Sequence, residues 1–294
     1  MTLFERYRKA REKATTDFDS QLDRLIKRMQ SSFWVTLEGI LPDLSLDNNG
    51  NIKNQVGNTQ IIGKATKAVE RDFRSQRNRL WNFIVLRSEQ LLRFNKSYFR
   101  AVASPTEKIE NRVARIVLLN LGYDVVKKQI VSGGWLDSLG DDKRLTADIA
   151  RDMRNAIQGQ VGFKEFQSQF RDRFTGANGL GYLERNFETF SRDLFMQVDR
   201  TTQKMYSDNL GLEYFLYSGT EKDNTRDFCQ ERIQNYYTRD EIESWKDLDF
   251  KGKYLVGYDP FVHLGGYNCR HHLSAVSKEF LEVQGLLNQV NRYN

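Results

Sequence analysis

The chain has 294 residues, of which 39% are hydrophobic and 29% are charged, and its formal net charge is +6. That much apolar material excludes wholesale disorder. Because no run of eighteen apolar residues occurs, a membrane-spanning helix is excluded as well. The first twenty residues are charged throughout and lack the apolar core of a secretory signal. We therefore expect a reducing cytosol, where two cysteines serve as thiols or metal ligands rather than as a structural disulfide.

Long helices are predicted for the first hundred residues. Apolar side chains recur at three- and four-residue steps from Phe18 to Phe33, and Pro42 ends this helix. Asn49-Gly50 tolerates positive φ and predicts a small hairpin. A second long helix is predicted for about residues 64–100.

The second helix is dense in arginine, with aromatic residues between the arginines. Such a surface can follow a phosphate backbone while its rings stack on bases. Alternatively, it is an ordinary amphipathic helix with an apolar face and a solvated basic face. The candidate nucleic-acid-binding residues are Arg71, Arg74, Arg77 and Arg79.

Four further helices are predicted between residues 104 and 211. The sequence Ser104-Pro105-Thr106-Glu107 has the pattern of a capping box, with Ser104 as the cap and proline in the first turn. Gly122 ends that helix. Three more apolar stripes predict helices that end at Gly159, Gly176 and Gly211. The second stripe consists of phenylalanines at helical spacing, which is typical of a core.

The pattern changes after Gly211. Leu212–Tyr217 is rich in aromatics and predicts a strand. The rest is polar and turn-rich, with a capping box that opens a short helix at Thr238, a second strand at Tyr254–Tyr258 and a last helix at about residues 278–290. The sequence thus predicts an α+β, predominantly helical protein. We expect an N-terminal helical assembly region (1–104), a helical core (105–211) and a C-terminal Cys/His-rich module (212–294).

Every cysteine and histidine of the chain lies between residues 229 and 272. A small unit with little apolar mass often needs a metal or a cross-link, and thiolate with imidazole is a complete tetrahedral zinc set. The spacing lacks the paired ligands of a zinc finger, so buried thiols and histidines that only donate or accept hydrogen bonds are the alternatives. The candidate zinc ligands are Cys229, His263, Cys269 and His271, with His272 as the alternate for His271.

Gly265-Gly266 predicts a tight turn that brings Cys269 and His271 back against the loop of Cys229. The two cysteines would then be joined by zinc or, in an oxidising medium, by a disulfide. We expect the nearby arginines to fix both loops by bonding carboxylates. These four residues are Arg226, Arg270, Asp223 and Asp227.

Two catalytic interpretations are open. Glu241-Ile242-Glu243 has the E-x-E spacing of ADP-ribosyltransferases, although acidic residues are also favoured in the first turn of a helix. A metal-dependent nuclease could use His271 or His272 with a carboxylate-held magnesium. No spacing singles out its carboxylates, which would be Asp223, Asp227 or Glu231.

Several segments together resemble one family. Asp223–Cys229, DNTRDFC, resembles the D-x-T-R-x-x-C element of the phage Mu F-like head-morphogenesis proteins, also called minor capsid proteins. Tyr237–Ile242, Trp245 and above all Gly265–His271, GGYNCRH, are similar too, and Asp199–Thr202 resembles the helix that leads into that domain. The resemblance covers roughly residues 145–277. Its motif residues are Asp223, Thr225, Arg226, Gly265, Gly266, Asn268 and Arg270.

The resemblance implies a bacteriophage minor head protein, made in the host cytoplasm, built into the capsid near the portal and carried in the virion. The implied partners are the portal and the major capsid or scaffolding proteins, with non-specific contact to packaged double-stranded DNA. Because the family's domain also occurs fused to toxin domains, an enzyme injected with the DNA is the alternative. Only a short helix follows Ser277, so we expect a structural protein without catalysis.

Overall fold

The computed structural model describes residues 3–140, 143–177 and 179–290. These residues form ten α-helices and two small antiparallel sheets, which confirms the predicted α+β, predominantly helical class. None of the helices in the described part of the chain is long and apolar enough to cross a membrane. The helices are α1 (Leu3–Glu38), α2 (Val56–Val102), α3 (Glu107–Leu121), α4 (Lys143–Gln158), α5 (Phe163–Thr175), α6 (Thr189–Leu210), α7 (Asp227–Gln230), α8 (Arg239–Ser244), α9 (Pro260–His263) and α10 (Lys278–Val283). The strands are β1 (Tyr123–Asp124), β2 (Gln129–Ile130), β3 (Tyr214–Ser218), β4 (Tyr236–Thr238) and β5 (His272–Val276).

The chain divides into two compact units, each assembled from non-consecutive segments. They differ from the three consecutive domains expected from the sequence, because α1, α2 and α6 each contribute residues to both units. Periodicity in a sequence marks where a helix ends, not which core each of its parts packs into. Unit 1 comprises Met1–Asp17, Ile84–Trp135 and Arg192–Asn294, and unit 2 comprises Phe18–Phe83 and Leu136–Ser191.

Unit 2 has an aromatic core. The ring of Phe174 in α5 packs edge-on against Phe33 of α1 and against Tyr182, with centroids 6.5 and 5.4 Å apart. Phe73 of α2 stacks on Phe187 at 4.8 Å. The phenylalanine stripe is therefore core, as predicted. A bridge between Leu46 and Ile52 confirms the small hairpin around Gly50, whose φ is +80°.

Unit 1 is organised around the three-stranded sheet β4-β3-β5. The central strand β3 pairs antiparallel with both neighbours, and Phe215, Leu216 and Tyr217 on it are buried. Helix α6 contributes the buried pair Asp199 and Arg200. A fully buried arginine of α1, Arg11, bonds the Asp199 carboxylate and, at 2.7 Å, the Ser274 hydroxyl of β5. This network fixes α1, α6 and the sheet to one another within unit 1.

Most of the predicted helix ends are confirmed. Gly122 and Gly176 cap α3 and α5 in the left-handed conformation, and Thr238 with Glu241 forms the predicted capping box of α8. The predicted cap at Ser104 is wrong. Thr106 caps α3 by accepting from the Ile109 amide, because Ser104 has a φ of +46° and ends α2 instead.

Two further predictions in the C-terminal part are wrong. Tyr254–Tyr258 forms a bend rather than a strand, since Gly257 has a φ of +71° and no strand of the described residues pairs with the segment. The last helix, α10, ends at Val283 because Gly285 is left-handed, and a separate helical turn follows at Leu287–Gln289.

Candidate functional site

Four elements of unit 1 bring the motif residues together. Helix α6 carries Arg200, strand β3 carries Tyr217, and the short helix α7 carries Cys229. The loop that enters β5 carries Cys269 and His271. Helix α7 starts directly after the turn of residues 222–225, in which the Thr225 hydroxyl accepts from the Lys222 amide at 2.8 Å. After this turn Cys229 is buried, as Cys269 is, so the Asp223–Cys229 and Gly265–His271 segments meet in the interior of unit 1.

The centre of the site is a cluster of Cys229, Cys269 and His271, all three of them buried. One ligand atom of each residue lies within 4.8 Å of those of the other two. The Sγ of Cys269 is 3.6 Å from the Nδ1 of His271, and both cysteines are free thiols. The hydroxyl of Tyr217 lies 3.9 Å from the Cys269 sulfur, and its ring stacks on His271 at 5.4 Å. The predicted approach of the two cysteine loops is confirmed.

Gly265 leaves room for the sulfurs. A Cβ atom at this position would overlap the Sγ of Cys229 and would lie 3.3 Å from the Sγ of Cys269. Any side chain here must therefore displace the thiol pair. Glycine is required by the close approach of two sulfur atoms to the backbone.

Gly266 and Arg226 hold the same turn from the other side. Gly266 has a φ of +81°, and a Cβ there would overlap the carbonyl of Gly252, which accepts from the Tyr267 amide at 2.8 Å. Arg226 donates from Nη1 to the Gly265 carbonyl at 3.1 Å and from Nη2 to the Tyr267 carbonyl at 2.6 Å. Arginine thus fixes the two loops, but through backbone carbonyls rather than the expected carboxylates.

The second motif arginine, Arg270, donates from Nε to the Asn268 side chain at 3.3 Å. Asn268 itself has a φ of +57°, and its amide donates to the Asp193 carboxylate of α6 at 3.1 Å. Asp223 lies exposed in the turn before α7, and Asp227 is exposed at the start of that helix. Because the turn offers carbonyls directly to Arg226, the two exposed carboxylates stay in solvent.

Arg200 connects the cluster to the helical part of unit 1. The residue is 3% exposed, and its guanidinium donates to the backbone carbonyls of Val262, Cys269 and His271, at 3.1, 2.7 and 2.8 Å. A buried charge is tolerated only when it is well bonded or paired. The three acceptors belong to the end of α9 and the cysteine loop, so one side chain of α6 fixes the position of both segments.

Electrostatics shift the two thiols in opposite directions. Burial raises the pKa of the Cys269 thiol, but the hydrogen bond from Cys229 and the positive charge of Arg200 outweigh it and hold that pKa well below its usual range. The hydrogen bond to Cys269, with burial, raises the pKa of the Cys229 thiol. Of the two sulfurs, Cys269 is therefore the one that loses its proton more readily.

The residues present fit a metal ion of zinc type. Around a tetrahedral zinc with ordinary bond lengths, a sulfur and a nitrogen ligand lie about 3.5 Å apart, close to the separation of Cys269 and His271. The Nε2 atom of His271 is buried and has no hydrogen-bond partner among the described residues. The structure therefore does not require a proton on both ring nitrogens, and one nitrogen can bind a metal. Three protein ligands leave a fourth position for a non-protein ligand. The same thiol pair could instead close to a disulfide.

The structure does not place His263 in this cluster. Its Nδ1 accepts from the Asp259 amide at 2.8 Å, and its ring packs against Tyr254 at 4.6 Å and Tyr258 at 6.0 Å. His263 ends the short helix α9, and the backbone turns away after it at Leu264, whose φ is +45°. Its role in the structure is to support the segment around Tyr254–Tyr258.

His272, the alternate ligand, faces the opposite side of the strand from His271. Its Nδ1 lies 2.9 Å from the Asp199 carboxylate, in the network that contains Arg11. Burial and the positive charge of Arg11 lower the pKa of His272 to about 4, although the hydrogen bond to Asp199 works against them. Successive residues of a strand point to opposite faces, so only one of the two histidines can reach the thiols.

The residues of the catalytic interpretations are not assembled. Asp223, Asp227 and Glu231 are exposed, and none of them joins the ligand atoms around His271. Glu241 accepts from the Thr238 amide at 2.6 Å, as the reciprocal half of the capping box. Its place in the E-x-E sequence is therefore accounted for by the start of α8.

The candidate nucleic-acid residues lie on the part of α2 that belongs to unit 2. The side chains of Arg71 and Arg74 are 78% and 66% exposed, and Arg79 is exposed as well. Arg74 pairs with Glu70, and the guanidinium of Arg77 lies 4.4 Å from the centre of the Trp81 ring. Phe73 and Leu80 on the same helix are buried. The helix is thus amphipathic with an exposed basic face, which both interpretations of the sequence require.

Sequence reasoning missed Arg200 and Tyr217 as parts of the site. In the sequence, Arg200 stood out only as a member of Asp199–Thr202, which resembles the helix leading into the family's domain, and Tyr217 only as a residue of the predicted strand. In comparisons with protein-family models, with curated proteins and with solved structures, nothing matches this chain. The site therefore rests on its geometry, and the resemblance to the Mu F-like family stays a prediction.

Proposed function

We propose that the chain is a structural minor head protein of a tailed bacteriophage, which acts in head morphogenesis near the portal and is carried in the virion. One observation supports this most. The two segments that carry the resemblance, Asp223–Cys229 and Gly265–His271, contact each other. Arg226 donates to the Gly265 carbonyl, and Cys229 lies beside Cys269. Segments 35 residues apart that share one site are expected to act as one motif.

The form of the site favours a structural role over catalysis. The three members of the cluster are buried, and the arginine beside them bonds backbone carbonyls rather than facing a cleft. A catalytic metal must be reached by its substrate, and a nucleophilic thiolate needs access to solvent, whereas all three side chains of this cluster are buried. A buried cluster that joins two loops is what a small module needs in order to stay folded in a particle.

We further propose that zinc occupies the cluster in the reducing cytosol, held by Cys229, Cys269 and His271. Metal analysis of the chain purified without chelator is expected to give one zinc per chain. Cys269→Ser and His271→Ala should lose the metal, whereas His263→Ala, the matched histidine control outside the cluster, should retain it. Metal that is lost equally in the His263 variant, or absent from all variants, would contradict the zinc proposal. A wild-type mass lower by two hydrogens would then identify the disulfide.

The partners in this proposal are the portal and the major capsid or scaffolding proteins. Packaged double-stranded DNA would be contacted non-specifically by the exposed arginines Arg71, Arg74 and Arg79. Their side chains face solvent, and a basic helical face binds phosphates without reading bases. Arg77 would contribute less to DNA binding, because its guanidinium lies over the ring of Trp81.

The decisive experiment is mass spectrometry of purified virions and of procapsids from the organism that encodes the chain. We expect the protein in both particles, at few copies, and its gene beside those of the portal and the large terminase subunit. Particles made without the gene should have defective heads. Absence from both particles, with a normal head in the gene's absence, would contradict the proposal. Presence in virions together with NAD hydrolysis or nuclease activity would favour the injected enzyme.

A further inference from the structure

The loop of the β1–β2 hairpin in unit 1 is amphipathic. The two strands pair antiparallel and leave the four residues Val125–Lys128 as the connecting loop. These are two valines followed by two lysines. All four are exposed, and Val126 is 79% exposed. The proposed head function assigns no role to this loop.

Hydrogen bonds hold the loop in one conformation. The carboxylate of Asp124 accepts from the amides of Val126 and Lys127, at 2.9 and 3.1 Å. At the base of the hairpin, the Val131 amide donates to the Gly122 carbonyl at 2.9 Å. A loop that is fixed before it binds loses little conformational entropy on binding. The valines are therefore presented to solvent by a pre-organised turn.

Helix α3 adds a cationic face beside the loop. Its exposed cations recur at four- and three-residue steps and so lie along one face of the helix. They are Lys108, Arg112 and Arg115. Strand β1 packs against α3. The hydrogen bond from the Lys127 amide lowers the pKa of Asp124 most, and the positive charge of Arg115 contributes to the same shift, so Arg115 lies near the loop.

An open cavity of about 400 Å³ lies on this face of α3. Its lining combines the guanidinium groups of Arg112 and Arg115 with the aliphatic side chains of Ile116 and Leu119. Leu119 is 48% exposed. Arginine binds phosphate oxygens with two parallel hydrogen bonds. The cavity thus offers both groups that a phospholipid headgroup with its adjoining acyl chains requires.

The positive charge of this surface is not cancelled by its own acids. From Glu107 to Ile130 the chain has five cations and three acids. One of the acids, Glu110, is buried and accepts from Lys96 and Arg100 of α2, at 2.9 and 2.8 Å. With these two included, seven cations stand against three acids. The surface therefore attracts anions.

We propose that α3 and the Val125–Lys128 loop bind the surface of an anionic phospholipid membrane. The two valines insert among the headgroups, and the lysines and the α3 arginines bind lipid phosphates. Peripheral attachment combines a small apolar insertion with an excess of cations, and this loop carries both. A DNA duplex would engage the cations but leave the valines in water, so lipid is the better occupant. This activity is additional to the head function and does not depend on it.

Cosedimentation of the full chain with phospholipid vesicles tests the proposal. We expect the chain to bind mixed phosphatidylserine and phosphatidylcholine vesicles at least about tenfold more tightly than phosphatidylcholine alone. The difference should shrink as salt is raised, because salt screens exposed charges. Equal binding to both kinds of vesicle, or binding to neither, would overturn the proposal.

Removing the two loop lysines tests the assigned surface. Each cation near an anionic bilayer contributes about fivefold in affinity, so Lys127→Gln with Lys128→Gln should weaken binding by about 25-fold. The matched control, Lys246→Gln with Lys251→Gln, removes two exposed lysines elsewhere in unit 1. It should weaken binding by less than about threefold, since exposed charges beyond a Debye length are screened. Equal losses from the two pairs would contradict the assigned surface.

The apolar part of the contact is tested at exposed positions, where substitutions should not disturb folding. Val126→Asp should weaken vesicle binding at least about tenfold, because it places a carboxylate against anionic headgroups. Val283→Asp is the matched control, since Val283 is 81% exposed on α10, and should leave binding nearly unchanged. Vesicle binding that Val126→Asp leaves unchanged, together with duplex-DNA binding that is lost in the double lysine variant, would identify nucleic acid as the occupant instead.

Insertion is measured directly with an environment-sensitive fluorophore. Val126→Cys is labelled with acrylodan, and the wild type treated in the same way gives the background, since both native cysteines are buried. We expect a blue shift of the emission on phosphatidylserine vesicles and no shift from label at Val283→Cys. No shift from position 126 on vesicles to which the chain is bound would overturn the insertion of the loop.

Discussion

Arg200 donates twice to the backbone carbonyl of His271, from Nε at 3.0 Å and from Nη2 at 2.8 Å. With its bonds to Cys269 and Val262, this one guanidinium joins α6 to the loop that carries half of the cysteine cluster. The planar fork of arginine makes such parallel bonds possible, whereas an ammonium group does not. The relationship explains why a charged side chain lies buried in the interior of unit 1.

Replacing Arg200 by lysine is therefore expected to destabilise the chain although the charge is kept. Hydrogen bonds to charged groups contribute about 1.5–3 kcal/mol each, and lysine cannot reach three separated carbonyls, so we expect a loss of about 2–4 kcal/mol. Urea unfolding measures it. Arg270→Lys, at a half-buried position in the same loop, is the control and should cost less than about 1 kcal/mol. Equal losses for both variants would show that the fork geometry is unimportant.

Gly265→Ala is expected to disrupt the cluster, because the added methyl group overlaps the sulfur of Cys229. Overpacking of an interior typically costs about 1–3 kcal/mol, and the thiol pair should become more accessible to alkylating reagents. The control is Gly63→Ala within α2, where the space is open and alanine should stabilise the helix by up to about 1 kcal/mol. A Gly265 variant as stable as the Gly63 variant would contradict the observed packing.

The pH dependence of stability should depend on Asp193. Burial raises its pKa to about 6, partly opposed by the hydrogen bond from the Asn268 amide and by Arg200. The folded chain thus keeps this proton to a higher pH than the unfolded chain, where the pKa is about 4. The stability that protonated Asp193 contributes is complete below pH 4 and is lost as the pH rises through 6, by up to about 3 kcal/mol.

Asp193→Asn removes this contribution while it keeps a side chain that can accept from Asn268. The difference in unfolding free energy between wild type and variant should accordingly change in favour of the variant between pH 4 and pH 6.5. Asp249→Asn, at an exposed position, serves as the control with no such change. A constant difference across this range would mean that the Asp193 carboxyl titrates normally.

Binding to DNA, if the basic face of α2 has that role, should be non-specific. The logarithm of the affinity is expected to fall linearly with the logarithm of salt, by about 0.9 per phosphate contact. Replacing Arg71, Arg74 and Arg79 by alanine should reduce that slope and weaken binding equally for different sequences. Fluorescence anisotropy with two unrelated duplexes measures both effects. Affinity that does not change with salt would exclude the role.

Local patterns predicted the fold well where one residue decides the outcome. Left-handed glycines end α3 and α5, and the capping box at Thr238 opens α8, because these effects act within a few residues. The segment Tyr254–Tyr258 has strand-forming residues but no partner strand in the described part of the chain, and propensity alone cannot supply one. Likewise, the sequence does not show that one long helix contributes residues to two compact units.

The candidate site was predicted in part. The two cysteines and His271 were among the candidate ligands because every cysteine and histidine of the chain lies in one short segment, and the structure brings these three together. His263 was included only because it is near in sequence, and the chain turns away from the cluster at Leu264, whose φ is +45°. Arg200 lies 69 residues before Cys269, a separation at which side-chain contacts depend on tertiary structure rather than on local pattern.

The central claim is that Cys229 and Cys269 belong to one cluster that holds the C-terminal module together. Thermal unfolding of Cys229→Ser, Cys269→Ser and the double variant, with and without chelator, tests it most directly. A link that spans the 39 intervening residues would stabilise the fold by roughly 3–4 kcal/mol on the loop-entropy model. We expect the two single variants to lose equal stability and the double variant to lose little more. Chelator should lower the unfolding temperature of the wild type towards that of the variants. Strictly additive losses would contradict the claim.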